Sequence, residues 1–269
     1  MSKVGLVGIE SDFQSSFITG PAQAPDLIRE ALLSDSANSF AELGCDVLNH
    51  EDFTDLGNWQ NCQHEAAYFQ ISDRIKAVLE SGLTPVSLGG DHSVTYPIVK
   101  AISERYERFS ILHFDAHPDL YDELEGNRYS HACPFARIME LGRVERLIQL
   151  GIRTLNDHQR EQVKKFDVEC YPMSEFDISD IQLQLAGPVY VSIDMDALDP
   201  AFAPGVSHHE PGGLTTRDIL NTLQELRDSN ITIIGADVVE YNPTRDINNM
   251  TAMVAAKFVK ELAGLILTQ

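Results

Sequence analysis

Short runs of Val, Ile and Leu alternate along this chain with longer amphipathic runs, a rhythm that predicts βα units feeding a mostly parallel sheet covered by helices on both faces. Eight strands are predicted, near residues 3–9, 45–49, 84–88, 109–114, 146–150, 168–172, 188–193 and 231–236. Residues 24–33 open with Pro25 and Asp26 and then repeat apolar residues at helical spacing, which marks the N-terminus of a surface helix. Residues 64–81 form the next helix, with Ala67, Ile71, Ile75, Val78 and Leu79 as its buried stripe and Gly82 as its stop. Another helix is due to begin at His92, and further helical patterns cover residues 135–140, 216–228 and 248–265. The last carries Ala, Val and Leu on nearly every face, so it is expected to be well buried. Neither an internal repeat nor a low-complexity linker divides the chain, and residues 1–269 read as a single α/β domain.

The places where the apolar runs stop say more than the runs themselves. The strand at 109–114 passes directly into Asp115-Ala116-His117-Pro118-Asp119, and the strand at 188–193 into Asp194-Met195-Asp196. The strand at 84–88 ends in Gly89-Gly90-Asp91-His92-Ser93, where two glycines allow a tight turn and close backbone approach. In an open parallel sheet, ligands gather at the carboxyl ends of strands, so His92, Asp115, His117, Asp119, Asp194 and Asp196 converge if their strands are neighbours. Taken singly, each aspartate reads as a cap or a turn residue and His92 as a packed core residue. Jointly, so many acids at one sheet edge are costly unless cations lie between them. Two imidazoles and four carboxylates without cysteine suit Mn²⁺ better than zinc or a soft metal, although zinc, iron, nickel or cobalt fit the same donors. Six side chains exceed the needs of one ion, which points to two divalent ions roughly 3.5 to 4 Å apart.

Charge narrows the partners. With 20 basic against 41 acidic side chains the formal net charge is -21, which excludes a nucleic-acid or anionic-membrane surface and favours a cationic ligand. Cys45, Cys62, Cys133 and Cys170 lack CxxC spacing, so neither a zinc ribbon nor a disulfide framework is expected. The opening residues turn polar too soon for a signal peptide, and no apolar run approaches the roughly 18 residues of a membrane span. A cytoplasmic setting is therefore expected, and the sequons at Asn230 and Asn249 carry little weight. His50, His64 and His158 read as surface or partly packed residues. His113 lies on the opposite strand face from Phe114 and reads as a core histidine or one behind the ligands. Two long loops overlie the same sheet edge: residues 120–130, closed by His131, and residues 197–215, containing His208 and His209. His208 is expected to line the substrate entrance, and Cys133 to be a wall residue. The final strand places Glu240 near the same edge.

Gly89-Gly90-Asp91-His92-Ser93, Asp115-Ala116-His117-Pro118-Asp119 and Ser192-Ile193-Asp194-Met195-Asp196-Ala197-Leu198-Asp199-Pro200 together resemble the signatures of the ureohydrolases, the arginases, agmatinases and their relatives. The resemblance runs from the first strand to the last helix. It implies a three-layer αβα sandwich around an eight-stranded parallel sheet, two Mn²⁺ held by the six residues above, and a homotrimer or homohexamer. It also implies hydrolysis of a terminal guanidino group to urea and an amine. On this resemblance Glu240 binds the guanidinium, His131 shuttles a proton to the leaving amine, and both act with the ligand Asp119. The segments Ser15 to Pro25, Glu125 to Ala132 and Thr251 to Lys257 look most like plant-type arginases. The asparagine- and serine-rich loop with which animal-type arginases hold the α-carboxylate is missing, and Asn127 is its expected partial substitute. Arginine is the expected substrate and agmatine the runner-up, with another guanidino or formimino compound behind them. The alternative of a different class is a metal-binding scaffold without catalysis.

Overall fold

The structure, a computed structural model, describes residues 2–60, 62–181, 183–229 and 231–269; Asn230 lies outside them. Eight strands form one sheet: β1 (Val4–Ile9), β2 (Phe53–Trp59), β3 (Thr84–Leu88), β4 (Phe109–Phe114), β5 (Val144–Leu150), β6 (Glu169–Tyr171), β7 (Pro188–Asp194) and β8 (Thr232–Val239). Their order is β2-β1-β3-β8-β7-β4-β5-β6, and every pairing is parallel. Among the described residues, seven α-helices cover it: α1 (Ala24–Leu32), α2 (Glu65–Glu80), α3 (Thr95–Arg105), α4 (Pro134–Met139), α5 (Asp157–Phe166), α6 (Thr216–Asp228) and α7 (Met250–Leu267).

Strand alternation divides the apolar side chains between two cores. Val4 and Leu6 of β1, with Leu112 and Phe114 of β4, face the layer of α1, α6 and α7. Val7 and Ile9, with Phe109 and Ile111, face α2, α3 and α4. The buried central strands need apolar residues on both sides, which is why their sequences run almost continuously apolar. α7 is buried along most of its length, as its composition demands. None of the described helices is long and apolar enough to cross a membrane.

One strand lies elsewhere than its sequence pattern indicates. Residues 45–49 contain only an isolated antiparallel bridge, Asp46 to Phe40, and the second strand is Phe53–Trp59. Cys45 and Val47 are apolar because they pack with Ala41 near Gly264 of α7, not because they form a ladder. β2 is an edge strand with its middle residues exposed, so Phe-Thr-Asp-Leu-Gly-Asn-Trp needs no apolar run. α5 also gives a weak signal, with little apolar surface. Its ends are set by Asn156, whose side chain accepts from Gln159 N–H, and by left-handed Asp167.

The topology brings the loaded strand ends together. β3, β8, β7 and β4 are consecutive in the sheet, and they deliver His92, Glu240, Asp194 and Asp115 at their carboxyl ends. The turn after β3 passes so close to the segment after β1 that a Cβ on Gly90 would stand 1.5 Å from the Ser11 carbonyl oxygen. That same oxygen accepts a 2.9 Å hydrogen bond from Asp91 N–H. Gly90→Ala is expected to lower stability by more than about 4 kcal/mol, since backbone has to move. Gly82→Ala meets nothing within 4 Å and bears only its left-handed backbone (φ +83), a cost of about 1 kcal/mol. Thermal melts of the two variants check the contrast.

Candidate active site

His92 stands at the start of a short 3₁₀ turn whose cap is Asp91. Its Nε2 lies 3.0 Å from Ser192 Oγ, and that hydroxyl donates to Asp237 Oδ1 at 2.6 Å. Asp237 also accepts from Thr95 Oγ1 and Tyr190 OH, so it acts as a buried carboxylate acceptor. Having one proton, Ser192 must accept from His92, which puts the imidazole hydrogen on Nε2 and the lone pair on Nδ1. Nδ1 then faces Asp115 Oδ2 and Asp119 Oδ2 at 3.1 Å and Asp194 Oδ2 at 3.0 Å. It is buried, and no oxygen lies where a proton on Nδ1 would make an acceptable hydrogen bond. Three carboxylate oxygens converging on a buried nitrogen call for positive charge at that point, and a divalent cation supplies it.

A second cluster adjoins the first. His117 Nδ1 lies 3.1 Å from Asp196 Oδ2 and 3.3 Å from Asp115 Oδ1. Asp115 therefore presents one oxygen to each histidine. Backbone donors hold the acids in place: Asp115 Oδ1 accepts from His117 N–H at 2.6 Å, Asp194 Oδ1 from Asp196 N–H at 2.8 Å, and Asp196 Oδ1 from Ala116 N–H at 3.1 Å. Asp119 (φ 50) and Glu240 (φ 61) both have left-handed backbone, a strain of order 1–3 kcal/mol each that marks imposed geometry. Burial, reinforced by the Asp115 carboxylate, raises Asp119 to about 7. Burial with Asp196 and Asp115 pushes Asp194 well up too. Asp115 is also buried, but His113, His117 and His92 hold it well below the usual carboxylate range. The cluster carries more negative charge than its imidazoles offset, and divalent cations are the natural complement.

Opposite lies a cavity of about 250 Å³, walled by His117, Asp119, Asp194 and Asp196 on one side and by His131, His208 and Glu240 among others. None of the described residues that line it is a lysine or an arginine. Glu240 Oε1 accepts from His92 N–H at 2.9 Å and from His131 Nδ1 at 2.8 Å. Among the described residues its other oxygen has no hydrogen-bond partner. Burial opposes the Glu240 charge, but His131 and the His92 amide outweigh it and hold the carboxyl below its ordinary value. Burial likewise opposes a charged His131, yet Glu240, Asp91 and Asp119 together raise it to about 9. With Nδ1 committed to Glu240, His131 turns Nε2 to Ser16 Oγ, 2.7 Å away at the cavity wall.

The model described as the arginase family matches residues 2–264 of this sequence. The chain belongs to that family. It is 48% identical to a protein named arginase 1, mitochondrial, of Arabidopsis thaliana, over 98% of this chain and 81% of that protein. It is 32% identical to an agmatinase of Bacillus cereus, over 97% of this chain and 91% of the relative. The solved structure of the arginase from Medicago truncatula superposes with a TM-score of 0.90 at 47% identity, covering 98% of this chain and 87% of the other. This arginase-family protein is thus a C–N hydrolase of the linear-amidine class, built on the eight-stranded parallel α/β fold of its relatives.

Of the site residues named from sequence, the arginase-family fold brings together His92, Asp115, His117, Asp119, Asp194, Asp196, His131, Glu240 and His208. His208 is half-buried, its ring centroid 5.4 Å from that of His131 and 5.8 Å from that of His117, and burial lowers its pKa. Asn127 does not reach the cavity. Its amide donates to Gln14 Oε1 at 2.6 Å and accepts from Tyr129 N–H at 2.9 Å, so it ties two loops behind the wall. Cys133 is buried beneath the loop and pushed up to about 12 by that burial. Sequence reasoning missed Ser192, Asp237, Gln149 and Ser16. The first three carry a signal in retrospect, since each is a polar residue in the middle of an apolar strand. Ser16 sits in an irregular loop and carries none.

Proposed function

We propose that this protein is a dinuclear-manganese ureohydrolase that cleaves arginine to ornithine and urea. The observation that carries the reading is Glu240, a buried carboxylate with one oxygen fixed by His92 and His131 and the other free toward a cavity whose opposite wall holds the acids. His92, Asp115, Asp119 and Asp194 would hold one ion, and His117, Asp115 and Asp196 the other. Such a pair of divalent cations supplies the Lewis acidity that makes water a usable nucleophile near neutral pH.

The chain's own residues do the rest. A guanidinium is cationic and resonance-stabilised, so it must be oriented before it reacts; Glu240 accepts two of its N–H bonds and fixes the plane of the guanidino carbon. As the bond from that carbon to the chain nitrogen breaks, the nitrogen needs a proton. His131 presents Nε2 to the cavity while Glu240 holds Nδ1, so it donates there and recovers a proton from solvent on the Ser16 side. Oxygen from water ends in urea and the other product leaves as an amine. His208 closes the mouth against Phe17, with ring centroids 5.5 Å apart.

Arginine as substrate is supported by the likeness to proteins named arginase at 47–49% identity. Agmatine is the second reading, because the cavity has no lysine or arginine for an α-carboxylate and Asn127 is turned away. Urea release after Mn²⁺ loading is expected to give a kcat/KM for arginine at least about tenfold above that for agmatine, a difference of about 1.4 kcal/mol. The reverse order would make it an agmatinase. No urea from either would leave another guanidino or formimino substrate, or a scaffold that binds metal without catalysis. We further infer a homotrimer or homohexamer and, from four unpaired cysteines, a reducing compartment such as the cytoplasm.

A further inference from the structure

His113 lies on β4, two residues before Asp115, on the face covered by α4, and is fully buried. Its ring stacks on Phe135 of α4 at 3.9 Å between centroids. Its Nε2 lies 2.9 Å from Asp115 Oδ2, and its Nδ1 3.0 Å from Gln149 Nε2 on the adjacent strand β5. Gln149 Nε2 also lies 2.7 Å from the Pro118 carbonyl oxygen. A backbone carbonyl only accepts, so this end of the Gln149 amide must be its NH₂ group. It therefore donates to His113 Nδ1 as well, and His113 must carry its proton on Nε2, facing Asp115.

Among the described residues, Asp115 is the one acid that meets both histidines of the cluster, Oδ2 toward His92 and Oδ1 toward His117. His113 acts on the Oδ2 arm alone. We propose that Gln149 and His113 are positioning residues that aim Asp115 Oδ2 at the ion site it shares with His92, Asp119 and Asp194, leaving the His117 and Asp196 site unaffected. The inference rests on the dinuclear reading above. A competing assignment makes His113 itself a ligand, since His92, His113 and Asp115 offer donor atoms within 4.8 Å of one another. The hydrogen-bond directions oppose it: with Gln149 donating to Nδ1, neither ring nitrogen has a free lone pair. Gln149 also ties the Pro118 carbonyl, so the backbone that leads directly into Asp119, an acid of the same ion site, is held to β5.

Calorimetric titration of the metal-free protein with Mn²⁺, without substrate, tests this. Wild type is expected to take up two ions. His113→Phe keeps the stacking on Phe135 but loses the N–H donor; it should weaken one binding step ten- to a hundredfold, the usual range for a residue behind the ligands, with the other step and the count of two unchanged. Gln149→Met should weaken the same step by less, and His113→Gln, which keeps a donor, should restore most of it. A count of one ion in His113→Phe with Gln149→Met unaffected would make His113 a ligand and overturn the proposal. Two unchanged steps would reduce the pair to packing, and equal weakening of both would mean a loosened fold; either overturns it. Because the titration needs no substrate, two ions bound here with no urea released from arginine or agmatine in the separate assay would sink the ureohydrolase reading alone. A wild type that binds fewer than two would sink the dinuclear reading and this inference with it.

Discussion

Asp115→Ala is expected to release both metal ions and to lower urea production by about 10³-fold or more. The first expectation follows from the position of the carboxylate, 3.1 Å from His92 Nδ1 on one side and 3.3 Å from His117 Nδ1 on the other, so no other acid compensates for its loss. The second follows from what the cations do for the reaction, since losing even one preorganised charge-stabilising group typically costs 10²–10³ in rate. Buried histidines and acids left behind will repel or strain one another less severely than a wholly lost fold would, because the sheet and both cores lie below the site. Metal content after gel filtration and far-ultraviolet circular dichroism separate the cases. Native dichroism, under one ion per chain and no urea is the expected set. Chelation of the wild type should reproduce the loss, and Mn²⁺ should restore the chelated wild type but not the variant. Two retained ions in Asp115→Ala would remove this residue from the centre of the cluster.

The same geometry explains how much of the protein was legible in its sequence. The histidine and aspartate cluster was readable because strand ends are fixed in register: Asp115, His117, Asp194 and Asp196 follow apolar runs that could only be central strands, and the adjacency of β3, β8, β7 and β4 then does the assembly. The misplaced second strand marks the opposite limit. β2 lies at the edge, where one side meets solvent and apolar alternation is not required, whereas the apolar stretch at 45–49 records burial near α7. Asn127 and Ser16 show where residue type stops informing. Both sit in irregular loops over the sheet, and which one reaches the cavity depends on tertiary bonds. Asp91 binds Gln14 N–H at 2.9 Å and Gln14 in turn engages Asn127, which presents Ser16 to His131 and turns Asn127 away. No spacing rule encodes those distances.

His131→Ala is expected to keep both metal ions and lose turnover, the inverse of Asp115→Ala. The imidazole contacts Glu240 and Ser16 but none of the six proposed ligands by hydrogen bond, so ion uptake should not change. A positioned general acid contributes about 10²–10⁴ in rate, and kcat should fall by that factor while KM changes little, since Glu240, the proposed guanidinium acceptor, is still in place. The pH profile discriminates this from a packing defect. His131 is raised to about 9 by Glu240, Asp91 and Asp119 against the opposing effect of burial. Its acid form is therefore present throughout the neutral range and is lost as pH rises through that value. Cations beside Asp119 would cancel part of its support, so in the loaded enzyme the basic limb of kcat falls at or somewhat below pH 9. In His131→Ala that limb should disappear from the residual activity, and a small added amine buffer should restore part of the rate by supplying the proton. A variant with the wild-type limb intact, however slow, would assign the proton to another group, and an unchanged kcat would take His131 out of the reaction altogether.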